Sequence, residues 1–96
     1  MARLNWTEQA AVDLKNIFEY ISVDSPRYAA IHIKRIREKA RLLRKQPLLG
    51  RIVPEKGNEN IRELIFGNYR IIYRIVSQEQ IDIITIFHSA RILNLS

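Results

Sequence analysis

The chain has 96 residues, of which 47% are hydrophobic and 8% aromatic, and it contains no cysteine. This length suits one domain, residues 1–96, with one core, and excludes a multidomain enzyme. The lack of cysteine excludes a disulfide framework, a thiolate metal site and a thiol nucleophile, and it fits a reducing cytoplasm. The start of the chain reaches Glu8 and Asp13 before any apolar run long enough for a signal peptide or a membrane span. The expectation is a soluble, cytoplasmic protein with no membrane partner. Sixteen basic residues against ten acidic ones give a formal net charge of +6. Eight of the sixteen lie between Pro26 and Lys45, opposed there by Glu38 alone. The excess therefore sits on one element, which is either a solvated face or a surface for an anionic partner, nucleic acid or an acidic protein segment.

Arg3 to Trp6 reads as an opening strand, closed by Thr7, whose hydroxyl can cap the helix that follows. Ala10, Leu14, Ile17, Phe18 and Ile21 then recur at the three-and-four spacing of one helix face. Val23-Asp24-Ser25-Pro26 ends this helix and opens another, because Ser25 is a good cap and proline is tolerated in a first turn. In the second helix Ala29, Ile33, Ile36, Ala40 and Leu43 form a narrow apolar stripe. Lys34, Arg37, Arg41 and Arg44 form a basic stripe beside it. Gln46 to Gly50 stops the helix, and the segment 51–60, with Pro54, Gly57, Asn58 and Asn60, supports only a loop.

Beyond the loop β-branched and aromatic residues dominate, giving strands over Ile61 to Phe66, Tyr69 to Val76 and Ile81 to Phe87. Gly67-Asn68 is a strong hairpin signal and Ser77 to Gln80 makes the next turn. The predicted fold is α+β, in the order β-α-α-β-β-β, with a two-helix hairpin on one face of a small antiparallel sheet whose other face stays partly open.

In the middle strand Tyr69, Ile71, Tyr73 and Ile75 alternate with Arg70, Ile72, Arg74 and Val76. The first set suits the face under the helices. The second sends Arg70 and Arg74 to the other face, where guanidinium groups need water or an anion. Either plausible register of the last hairpin sets Phe87 or His88 across from Arg70, so His88 is expected at its level. Arg62 falls opposite Tyr73 with a two-residue turn and beside Arg74 with a three-residue turn, and both remain open. His32, in mid-helix without a neighbouring acid, reads as a surface residue.

The two histidines have no acidic residue at ligand spacing, the three glycines form no phosphate-cradling loop, and the serines have no evident base. No metal or cofactor is expected. What remains is arginine chemistry on a sheet face. Arginines can stabilise a phosphorane during RNA self-cleavage, but that reaction also needs a general acid and a general base.

The segment from Ile61 to Ile75, containing Gly67-Asn68-Tyr69-Arg70-Ile71-Ile72-Tyr73-Arg74, together with Ile83 to His88, resembles the RelE/ParE superfamily of toxins from type II toxin–antitoxin (plasmid-stabilisation) modules. The resemblance runs over nearly the whole chain. It implies one of two activities: ParE-like inhibition of DNA gyrase by binding, or RelE-like ribosome-dependent cleavage of mRNA. For a ribonuclease the resemblance implies Arg70 as the phosphate-stabilising residue, with His88 and Arg62 as its catalytic companions. For a gyrase inhibitor it implies Arg70, Arg74, His88 and Arg91 as target contacts. After His88 the chain offers Ser89, Ala90 and Arg91 where ribonuclease members place a catalytic Tyr or His, which favours the ParE-like branch. Both branches imply neutralisation, in a hetero-oligomer, by the acidic C-terminal segment of a RelB/ParD-like antitoxin. Lys34, Arg37, Arg41 and Arg44 are the candidate anchors for it.

Overall fold

The structure is a computed structural model and describes residues 1–89. Its elements are β1 (Arg3–Trp6), α1 (Glu8–Ser22), α2 (Pro26–Arg41), a short 3-10 turn (Leu42–Arg44), β2 (Arg51–Ile52), β3 (Ile61–Phe66), β4 (Tyr69–Ser77) and β5 (Gln80–His88). The caps are where local chemistry puts them. The Thr7 hydroxyl accepts from the Ala10 amide and opens α1, and the Ser25 hydroxyl accepts from the Tyr28 amide and opens α2, with Pro26 in its first turn.

The sheet order is β1-β5-β4-β3-β2. Strands β2 to β5 are antiparallel neighbours, but β1 runs parallel to β5, pairing Arg3 with Gln80 through Trp6 with Ile83. The sheet is therefore mixed, not purely antiparallel. The direction of β1 is set by a partner 77 positions along the chain, beyond the reach of local sequence signals. The segment 51–60 also holds more than a loop, since Arg51 and Ile52 pair with Glu63 and Arg62 as the edge strand β2.

At the β3–β4 hairpin only Gly67 has a positive φ, 56°, as at the first central residue of a type II′ turn. This two-residue turn sets Arg62 opposite Tyr73, Leu64 opposite Ile71 and Phe66 opposite Tyr69. A bulge in the β4–β5 ladder, between Ile72 and Tyr73, shifts the alternation along β5. Ile81 and Ile83 before it and Ile86 after it thus all face the helices. There they join Ala10, Leu14, Ile17, Ile36, Ala40, Leu43, Leu64, Ile71 and Tyr73 in the main core. Tyr73 is fully buried, and its hydroxyl donates to the Pro47 carbonyl at 2.6 Å and accepts from the Gly50 amide at 2.9 Å. Burial pushes its pKa up.

The second face of the sheet is not bare. Val53 and Ile72, both fully buried, form a small core there with Ile61, Ile84 and Phe87 packed around it. The loop after β2 folds over this part of the sheet. It is held by bonds from the Lys56 and Gly57 amides to the Val53 carbonyl and from the Ile75 amide to the Asn60 carbonyl.

Candidate functional site

Alternation along β4 places Arg70 on the second face, as the sequence predicts, but not in solvent. Its residue is 7% exposed. The Arg70 Nε donates to Glu63 Oε1 at 2.6 Å, while Nη1 and Nη2 form a fork on the two oxygens of Glu55 at 2.8 and 2.9 Å. A second contact joins Nη2 to Glu63. The Phe87 ring lies 5.2 Å from the guanidinium carbon. Glu63 also accepts from Arg51 Nε on β2 at 2.5 Å. Two guanidiniums and two carboxylates thus balance within one network. Hydrogen bonding to Glu55, opposed by burial and reinforced by Glu63, raises the Arg70 pKa above the ordinary arginine value. The expectation of a free Arg70 on an open face is therefore corrected. The sequence offered two carboxylates for this guanidinium, Glu55 in a loop and Glu63 on the same face of the neighbouring strand.

The other expected site residues do not converge on Arg70. His88 pairs with Tyr69, which faces the helices, and their rings stand 5.8 Å apart. It lines a groove of about 840 Å³ with Asp13, Asn16, Ile17 and Tyr20 of α1 and Asn68, Tyr69, Ile86 and Phe87 of the sheet. Directly opposed residues share a face, so His88 and Arg70 lie on opposite sides of the sheet. Arg62 is on the helix side as well, at the far end of the ladder. Its Nε donates to the Glu59 carbonyl at 2.9 Å and its Nη1 to the Gly50 carbonyl at 3.0 Å. The set Arg62, Arg70 and His88 is thus divided between two faces. Arg74 stands opposite Ile61 and Asp82, exposed and without an ion pair among the described residues. Arg91 lies outside the described residues.

Lys34, Arg37, Arg41 and Arg44 are all exposed, and none is ion-paired among the described residues. Two of them have contacts with the rest of the fold. The Arg37 guanidinium carbon lies 5.3 Å from the Trp6 ring, and Arg44 Nε donates to the Ala2 carbonyl at 3.2 Å. At the end of α2 a smaller groove of about 490 Å³ is lined by Met1, Glu38, Arg41, Leu42, Arg44, Lys45 and Gln46.

Two features escape the sequence reading. Asp13 reaches from α1 to β5, where one oxygen accepts from the Thr85 hydroxyl at 2.5 Å and the Ile86 amide at 3.0 Å. His32 is not a surface residue but half-buried among Tyr28, Phe66 and Tyr69, with ring centres 6.1, 5.5 and 5.5 Å away. Its Nε2 is buried without a hydrogen-bond partner among the described residues. Burial, with a smaller contribution from Arg35, pushes its pKa down. Its place one turn beyond Tyr28, near the apolar stripe, was the available signal. Among the described residues no group of three or more His, Asp or Glu is placed to hold a metal ion, and no helix is long and apolar enough to cross a membrane.

Comparison with known proteins agrees with this fold. No curated protein matches the chain. A solved structure described as the chromosomal ParDE TA system from P. aeruginosa superposes with a TM-score of 0.75 at 26% identity, covering 92% of this chain and 96% of that one. The family model described as ParE toxin of type II toxin–antitoxin system, parDE, matches residues 4–93. That match takes in both helices, the buried Arg70 network and the groove beside His88, and the chain belongs to the ParE toxin family of type II toxin–antitoxin systems.

Proposed function

We propose that this chain acts in the cytoplasm by binding DNA gyrase and inhibiting it, without catalysing a reaction, and that a cognate acidic antitoxin neutralises it in a hetero-oligomer. The observation that carries the choice between the two superfamily activities is the division of Arg70 from His88. Cleavage of RNA through its own 2′-hydroxyl needs a phosphate stabiliser and a proton-transferring group around one phosphate. Here the sheet itself separates the two, and Arg70 already spends its donors on Glu55 and Glu63.

The same burial removes Arg70 as a direct gyrase contact. Exposed Arg74 and His88, the latter lining the groove beside α1, remain the target contacts of this reading, with Arg91, which lies outside the described residues, as a third. For the antitoxin, the support is the basic face of α2 and the 3-10 turn after it, where Lys34 and Arg41 have no ion pair among the described residues and Arg37 and Arg44 stand braced beside them. Such a face steers an acidic segment onto the chain, and apolar burial supplies most of the affinity. The discriminating experiment adds purified chain to a gyrase supercoiling reaction and, separately, to a translation reaction with labelled mRNA. Loss of supercoiling with intact mRNA supports the proposal; unchanged supercoiling with cleaved mRNA replaces it with the ribonuclease reading.

A further inference from the structure

We propose that the Arg70 fork is a recognition site for a carboxylate on an acidic peptide partner, and that the chain's own Val53-Pro54-Glu55 segment occupies it as an internal stand-in. The inference rests on the reading that an acidic antitoxin segment is the partner, and it states where one of that segment's carboxylates goes.

The two carboxylates on Arg70 differ in kind. Glu63 has a fully buried side chain, sits on a central strand and bridges Arg70 to Arg51. Nothing outside the fold can replace it. Glu55 has a side chain 32% exposed and comes from the loop between β2 and β3. It grips the outward end of the guanidinium, with both oxygens on Nη1 and Nη2. That is the planar two-point geometry by which arginine recognises any carboxylate. Without Glu55 the network keeps Arg51, Arg70 and Glu63, so the vacated position carries one net positive charge. Its floor is apolar, because Val53 lies on Ile72 beside Ile84 and Phe87. A site with one positive fork over an aliphatic floor fits an aliphatic residue followed two positions later by Asp or Glu, the pattern that Val53 and Glu55 themselves present. A tethered occupant has an effective concentration on the order of millimolar, so free acetate cannot displace it but a peptide that fills both positions can.

The probe is a fluorescein-labelled peptide copying residues 51–57, Arg-Ile-Val-Pro-Glu-Lys-Gly, and a second peptide with Gln in place of its Glu. Both are titrated into the full chain and into Glu55→Gln, whose fold Glu63 still supports. The expected result is that the Glu peptide binds Glu55→Gln about tenfold or more tightly than the unaltered chain, while the Gln peptide binds neither. Equal affinities for the two chains, or for the two peptides, would overturn the proposal and leave Glu55 as a structural clip. Amide exchange in the unaltered chain gives a second readout that no variant's folding can confound. Excess Glu peptide should speed exchange at Lys56 and Gly57, whose amides now bond the Val53 carbonyl, and unchanged exchange under saturating peptide would also overturn it. Neither gyrase nor an antitoxin enters these measurements, so their failure and the failure of the gyrase reading are separate results.

Discussion

Glu63 and Arg70 stand diagonally across the β3–β4 ladder, with side chains 0% and 8% exposed, and form the buried half of a four-residue ionic network. A buried pair adds little net stability over an apolar pair, yet removing one partner strands the other charge. Glu63→Gln leaves both Arg70 and Arg51 without their shared carboxylate and should lower stability by about 3–5 kcal/mol. Glu55→Gln, at a third-exposed position, should cost only about 1 kcal/mol. Urea unfolding of the two variants checks the contrast, and equal losses would mean that the two carboxylates hold the fold in the same way.

Gly50 is a place where backbone approaches a side chain too closely for any other residue. A Cβ there would lie 2.5 Å from the Glu63 carbonyl and 2.7 Å from the Tyr73 ring, both fixed in the core. Gly50→Ala should therefore destabilise by about 1–3 kcal/mol and weaken the bond from the Gly50 amide to the Tyr73 hydroxyl. Urea unfolding, with exchange at the Gly50 amide in the parent, measures both. A neutral Gly50→Ala would contradict the packing described.

The α2 face should act mainly on the rate of antitoxin association. Lys34→Glu with Arg41→Glu should slow association several-fold at low salt, with less effect at high salt and little change in dissociation. Stopped-flow mixing with the cognate antitoxin at two ionic strengths measures this, and an effect confined to dissociation would place the antitoxin elsewhere.

How much of this was legible in the sequence depended on how local each signal was. Thr7, Ser25 and Pro26 announce their helix ends because capping is settled within a turn. The alternation of Tyr69 to Val76 correctly divided β4 between two faces. The direction of β1 was not legible, since it depends on β5 at the other end of the chain. The burial of Arg70 was missed for the same reason, because Glu55 becomes its partner only when the loop folds back over Ile72. The face of His88 depended on register, which the hairpin sequence left open by one residue, and one residue reverses the face.

His32 gives the protein a defined pH response. Burial lowers its pKa in the fold relative to the ordinary value near 6.5, so the native state binds this proton less readily than the unfolded chain. Its contribution to stability is thus complete above about pH 7 and falls as pH drops through the unfolded pKa toward the lowered native one. Unfolding free energies of the parent and of His32→Leu between pH 7.5 and 5.5 test this. The parent should lose stability across that interval and the variant should lose less. Parallel curves would mean that the aromatic setting of His32 does not disfavour its charge.

The most direct test of the account is DNA supercoiling by purified gyrase with the chain in molar excess, run beside the same reaction containing chain pre-mixed with its antitoxin. The account predicts that the chain stops supercoiling, that the antitoxin restores it, and that mRNA stays intact in a parallel translation reaction. Full supercoiling at saturating chain, with mRNA cut at defined positions, would contradict it.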